Sequence, residues 1–178
     1  MAVSKVEAVA LGLLAEEPMH GYDLLERLRE RGMDSWVQVG KASVYQALRR
    51  LEAGGLIGGR SQEGTEGPER RVYRITRPGR DQLRRALLER FASETEAGIA
   101  LGFAHFLTAF EVRRGLDERE ATVRAELDRV AADRARAAAE RGAGWTVAER
   151  MLEREESLLH ADLAWLVTFR KTASRLRR

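Results

Sequence analysis

The sequence predicts a mainly α-helical chain with one small β-hairpin, divided into a head of residues 1–85 and a helical tail of residues 86–178. Three observations carry that prediction. Apolar residues recur at helical spacing, with polar caps and glycine stops between the runs. Two strand-like segments, Leu56–Ser61 and Arg71–Thr76, flank a polar stretch containing Gly and Pro. The composition agrees: 44% apolar residues, 33% charged residues and three prolines in 178 residues describe a globular, helix-rich chain, neither disordered nor fibrous.

In chain order, Ser4-Lys-Val-Glu7 has capping-box form, because a Ser hydroxyl satisfies the amide three residues on while Glu reaches back. Val6, Val9, Ala10, Leu13 and Leu14 then share one face of a first helix that ends before Pro18. A second, short amphipathic helix is predicted from His20, with Tyr22, Leu25 and Leu28 on one side and a stop near Gly32; His20 reads as a cap or a packed side chain. After a polar connection through Gly40, Val44, Leu48 and Leu51 mark the buried side of a third helix that stops at Gly54-Gly55. The hairpin follows, its tip running from Gln62 to Pro68, and Gly79 opens another helix. Three short helices and then a long-tipped hairpin is the order of a winged helix-turn-helix. The tail is predicted as three helical segments: around Glu89–Phe110, from Asp117 to about Arg141, and from Thr146 onward. The last two start at box-like Asp117…Glu120 and Thr146…Glu149, with Gly142-Ala-Gly144 between them.

Several function classes are excluded by counting. Without cysteine there are no disulfides, no thiolate nucleophile and no Cys-ligated metal. The three histidines, His20, His105 and His160, are too scattered to suggest a metal site. No phosphate-binding Gly loop, nucleophile elbow, HExxH or paired-carboxylate spacing is present, so neither an enzyme nor a cofactor is expected. The opening residues carry an acid and lack the basic and small-residue features of a secretory signal. The longest apolar stretch, Ala97–Phe110, is interrupted by His105 and Thr108 and is shorter than the ~18 residues of a membrane span. A cytoplasmic protein is the expectation.

The net charge is +3, but it is unevenly placed. Residues 1–40 hold 4 basic and 7 acidic residues, residues 41–85 hold 11 and 5, and residues 86–178 hold 16 of each. The surplus is therefore concentrated in the one short segment 41–85, where it suits a polyanion such as duplex DNA. With Val44, Leu48 and Leu51 inward, Ser43, Gln46, Arg49 and Arg50 point outward. Gln suits adenine, Arg suits guanine or phosphate, and a hydroxyl suits either, while Lys41 just ahead suits a phosphate. Arg70 and Arg71 beside the hairpin tip are candidates for the backbone or minor groove. Glu63, Glu66 and Glu69 temper the tip itself, and Glu69 is placed to pair with either arginine. The plainer reading of Arg49 and Arg50 is a solvated helix face, since 28 of the 31 basic residues are Arg; clustering on one short segment argues for the DNA reading.

His20-Gly-Tyr-Asp-Leu24, Val44-Tyr-Gln-Ala-Leu-Arg-Arg-Leu-Glu52 with Gly55-Leu-Ile57, and Arg71-Val-Tyr-Arg-Ile-Thr76 with Gly79-Arg80 resemble, in order and separation, the PadR family of transcriptional regulators. The resemblance covers roughly residues 6–85; the tail is similar only in length and helicity to the family's larger, multi-helix subgroup. It implies a homodimeric winged-helix repressor on a near-palindromic operator, autoregulatory or controlling a neighbouring detoxification or efflux gene. It also implies that Tyr45 reaches the DNA backbone and that Tyr73 supports the wing. Family members often carry Pro where Gln46 stands, a departure that adds contact capacity here.

In the tail, Leu152, Leu159, Leu163, Leu166, Phe169 and Ala173 keep to one broad apolar face, widened by Leu158, Trp165 and Leu176. The stripe Val123, Leu127, Val130 and Ala138 on the preceding helix reads as too narrow to cover it, so Leu152, Leu159, Leu163, Trp165, Leu166 and Phe169 are the expected dimer surface. Phe103, Phe106, Leu107 and Phe110 repeat at i, i+3, i+4 and i+7. Core packing is the plain reading of that stripe. The sharper one is a pocket for a small aromatic or hydrophobic effector lined by Phe103, Phe106 and Phe110 with Trp145 or Trp165. Two rivals remain open: a winged-helix protein-interaction module without DNA binding, and an enzyme using the aromatic tail.

Overall fold

The computed structural model describes residues 3–33, 40–62, 70–91, 93, 96–139 and 143–173. Its elements are α1 (Lys5–Glu16), β1 (Met19–His20), α2 (Gly21–Glu30), α3 (Lys41–Ala53), β2 (Ile57–Gln62), β3 (Arg70–Ile75), α4 (Arg77–Phe91), α5 (Ala97–Gly102), a 3-10 turn (Ala104–Phe106), α6 (Ala109–Ala139) and α7 (Ala143–Ala173). The fold is mainly helical with one three-stranded antiparallel sheet in the order β1-β3-β2. The chain divides into two compact units, Met1–Arg90 with Thr95–Phe103 and Phe91–Glu94 with Ala104–Arg178.

The first unit is built around α1. The Ser4 box forms as its sequence predicts: the Ser4 amide donates to Glu7 Oε2 at 2.7 Å and the Glu7 amide donates to Ser4 Oγ at 3.3 Å. Beyond the predicted stripe, every residue from Glu7 to Ala15 is buried, because α3, β3 and α5 surround the helix. Gly12 gives Phe103 its place. A Cβ there would lie 2.6 Å from the ring, and Phe103 is fully buried. Arg90 is buried as well; its Nη atoms donate to the Val3 and Ala86 carbonyls, and its Nε lies 2.9 Å from Glu96 Oε2 as an ion pair.

The hairpin pairs Ile57 with Ile75 and Gly59 with Tyr73. Its entry needs a left-handed residue, supplied by Gly55 at φ 69°. Thr76 Oγ1 donates to the Gly55 and Leu56 carbonyls, at 2.8 and 3.0 Å, and so anchors the far end of β3 beneath that turn. The third strand, β1, pairs Met19 with Tyr73 and His20 with Val72. Two residues after a proline carry no alternation, so periodicity could not predict it.

From Glu89 onward the structure corrects the helical segmentation read from sequence. The segment expected around Glu89–Phe110 is broken into the end of α4, α5 and the 3-10 turn, and α6 starts at Ala109 rather than at Asp117. The reason is a competing cap: Thr108 and Glu111 form the reciprocal box, the Thr108 amide donating to Glu111 Oε2 at 2.8 Å and the Glu111 amide to Thr108 Oγ1 at 3.3 Å. Asp117 and Glu120 lie inside α6 and instead accept from Arg170, at 2.7 and 2.6 Å. Gly115 admits the buried ring of Phe91, which a Cβ would meet at 2.4 Å.

Helices α6 and α7 form an antiparallel hairpin. Val112, Leu116, Val123, Val130 and Ala137 on α6 and Leu159 and Leu166 on α7 are buried. At 6% and 1% exposure, Leu159 and Leu166 spend their side chains within the protomer. The seven-residue recurrence is that of a coiled-coil seam. Arg119–Asp162 and Arg134–Glu156, both at 2.5 Å, pair across the same interface.

Candidate nucleic-acid interface

Helix α3 owes its position to its own sequence. Gly40 caps it, donating its amide to Ser43 Oγ at 3.1 Å while that hydroxyl donates to the Gly40 carbonyl at 2.7 Å. Val44, Ala47, Leu48 and Leu51 are buried, which sets the rotation of the helix and leaves Lys41, Gln46, Arg49 and Arg50 exposed. Tyr45 and Leu48 close on Gly21, where a Cβ would come within 2.9 and 3.1 Å. That close approach brings the start of α2 onto α3, and the pair forms a helix-turn-helix.

The predicted surface residues have separate fates. Lys41, Gln46, Arg49 and Arg50 share the exposed side of α3, and their side chains make no ion pair with any described residue. Ser43 is half-buried and engaged in the cap, and Tyr45 is half-buried against Gly21. Arg70 stands at the start of β3 opposite Gln62; its side chain, like Glu63, Glu66 and Glu69, lies outside the described residues. Tyr73 is half-buried in the centre of the sheet. Arg71 donates from Nη2 to Glu52 Oε1 at 2.5 Å and lies over the Tyr73 ring, 5.9 Å from its centroid.

Three features escaped the sequence reading. Glu52, the one acid on α3, accepts from Arg71 and also from the Gly59 amide at 3.0 Å, joining the helix to the hairpin. Gly59 makes room for that junction. Arg60 and Arg74 are two further exposed cations on the strands without an ion pair to a described residue, and both line a shallow groove of about 510 Å³ with Gly58, Gly59, Val72, Ile75 and Thr76. The Gly58-Gly59 pair, which lies opposite Arg74 and Tyr73 across the hairpin, was the available signal.

The aromatic residues of the tail are placed differently from a single stripe. Phe103 fills the core of the first unit against Gly12. In the second unit Phe106 is half-buried beside His105, at a ring separation of 4.3 Å, and Phe110 is 70% exposed. Trp165 stacks on Phe169 at 5.1 Å. The side chain of Trp145, like Trp36, lies outside the described residues. Leu152 and Leu163 are half-buried on α7. Val147, Met151, Leu158 and Trp165 form a second apolar stripe on the same helix, 46–64% exposed. No described helix is long and apolar enough to cross a membrane, and no group of three or more metal-ligating side chains converges among the described residues.

A helix-turn-helix flanked by a three-stranded sheet, with its outer helix cationic, defines the first unit as a winged helix-turn-helix. Residues 10–85 match the family model described as "Transcriptional regulator PadR-like family", and this part of the chain is similar to that family. An uncharacterized protein of Lysinibacillus sphaericus is 28% identical over 78 residues, 44% of this chain and 71% of that one. Among solved structures, a PadR family transcription regulator of Clostridium difficile R20291 is 25% identical, with 45% of this chain and 80% of that chain covered and a TM-score of 0.40. Bacillus subtilis PadR, solved in complex with operator DNA, is 20% identical, with 90% and 98% covered and a TM-score of 0.43. The protein smu.1604c of Streptococcus mutans UA159 is 19% identical, with 95% and 96% covered and a TM-score of 0.45.

Proposed function

We propose that the chain is a sequence-specific DNA-binding transcriptional regulator, a cytoplasmic repressor that sits as a homodimer on a near-palindromic operator and is released by a small hydrophobic or aromatic effector. The carrying observation is the exposed side of α3: Lys41, Gln46, Arg49 and Arg50 stand together, without an acid partner among the described residues, on a helix whose apolar side is fully buried. Unpaired cations on a rigid helix suit phosphates and guanine, and Gln46 between them suits adenine. Ser43 and Tyr45 hold this helix in place and offer hydroxyls at its margin. Arg60, Arg70 and Arg74 on the hairpin suit the flanking backbone, Tyr73 supports the sheet beneath them, and Arg71 reaches a phosphate when it leaves Glu52. Binding, with no catalytic step, is the whole of the activity.

The division of labour assigns residues 1–85 to DNA and residues 86–178 to self-association. Support for the dimer is the stripe Val147, Met151, Leu158 and Trp165, which α6 leaves uncovered while Leu152, Leu159, Leu163 and Leu166 face their own protomer's hairpin. Phe169, stacked under Trp165, extends that stripe. A two-fold dimer places two α3 helices on half-sites one duplex turn apart, ~34–36 Å, and an effector acts by changing that separation. Phe106, Phe110 and Trp165 are the aromatic side chains in the second unit available to such an effector. The test is a gel shift with the duplex upstream of the chain's own gene and a scrambled duplex of equal length. Retardation of the first at lower protein concentration supports the proposal, and equal retardation of both contradicts sequence-specific regulation.

A further inference from the structure

Glu52 is an acid in the wrong place for a helix that meets a polyanion, and its contacts give it a task. It lies in the last turn of α3, three residues after Arg49, and its Oε1 accepts two bonds from the hairpin: the Gly59 amide at 3.0 Å and Arg71 Nη2 at 2.5 Å. Position 59 has to be glycine for this arrangement, since a Cβ there would lie 2.2 Å from Arg71 Nε and 2.7 Å from Glu52 Oε1. The Arg71 side chain is nevertheless 48% exposed, so the pair sits at the edge of solvent. Such pairs contribute little to stability. A guanidinium has five donors and matches a phosphate through two of them, whereas Glu52 takes its bond from one nitrogen.

We infer that Glu52 competes with a DNA phosphate for Arg71, so that the hairpin's phosphate contact forms by exchange of one acceptor for another. This rests on the DNA-binding reading of the first unit. Glu52 is thereby an affinity-setting residue: the Arg71 contact contributes only its surplus over the Glu52 pair, on every duplex alike. The Gly59 amide stays on Glu52 through the exchange and keeps the hairpin joined to α3.

Glu52→Gln separates the two tasks, because the amide oxygen still accepts from Gly59 while the charge that holds Arg71 is gone. In fluorescence anisotropy with the operator duplex and a scrambled duplex, E52Q is expected to bind both more tightly, roughly two- to fivefold, at an unchanged melting temperature. In an Arg71→Gln background the same substitution is expected to add nothing. A gain that persists without Arg71 is a general charge effect and overturns the inference, as does an E52Q protein that binds no more tightly than the parent. Should E52Q fold poorly, the unmodified protein supplies the answer by NMR: on titration with duplex the Arg71 Nε–H resonance moves and the Gly59 amide keeps its place. An Arg71 resonance that stays put overturns it. A parent chain that binds neither duplex overturns the DNA-binding reading itself, and this exchange with it.

Discussion

Arginine is abundant in both units, but most of the exposed cations of α3 and the strands keep different company from most of those in the α6–α7 hairpin. In the α6–α7 hairpin, Arg114, Arg119, Arg124, Arg129, Arg134, Arg136, Arg150 and Arg170 each pair with an Asp or Glu. On α3 and the strands, Lys41, Arg49, Arg50, Arg60 and Arg74 pair with no described residue. The paired arginines of the α6–α7 hairpin close a protomer's own seam or neutralise its own surface; in the head Arg27, Arg31, Arg71 and Arg90 are paired in the same way, whereas the five exposed cations on α3, β2 and β3 are left for a partner. Counting basic residues cannot make this distinction, and pairing can. The apolar surface divides the other way: α3 buries its whole hydrophobic side, whereas α7 buries one stripe and leaves another open.

The contrast can be broken most forcefully by reversing charge on each side of it. Arg49→Glu with Arg50→Glu is expected to weaken operator binding by more than about a hundredfold, measured by anisotropy, without lowering the melting temperature. The apolar half of the comparison is next. Leu158→Glu with Trp165→Glu is expected to convert a dimer to monomers in sedimentation velocity and to weaken a two-half-site duplex by about tenfold or more, leaving a single half-site unaffected.

Smaller effects sharpen the picture. Asp162→Ala strands the buried Arg119 guanidinium and is expected to cost about 1–3 kcal/mol in urea unfolding. Gln46→Ala is expected to cost about 1–3 kcal/mol at one base pair of the operator and nothing on scrambled duplex. Arg129→Ala, which removes an exposed hairpin cation already paired with Glu126, is expected to change neither duplex affinity nor melting temperature; a loss of affinity there would dissolve the distinction between paired and unpaired arginines.

Much of the head was legible because its signals are local. The Ser4 box, the Val44–Leu48–Leu51 stripe and the Gly54-Gly55 stop are each read within a few residues, and all three appear in the fold. The tail was harder for the same reason. Thr108 with Glu111 and Asp117 with Glu120 have the same capping pattern; the first pair caps α6, while the second lies inside it and pairs with Arg170 across the α6–α7 hairpin. The outward side of α3 follows from its inward side, but the pairing of Arg71 with Glu52 spans 19 residues and a strand reversal, which no periodicity carries. The two stripes of α7 likewise look like one broad face until α6 covers half of it.

The central claim is that the unpaired cations of the head meet a duplex backbone. The direct measurement is the salt dependence of binding to the duplex upstream of the chain's own gene. The account predicts that log Kobs falls linearly with log salt concentration, with a slope of about −0.9 for each phosphate contacted, and that the slope flattens when Arg49 and Arg50 are replaced together by Ala. Binding that is indifferent to salt, or a slope that survives the loss of both arginines, would contradict it.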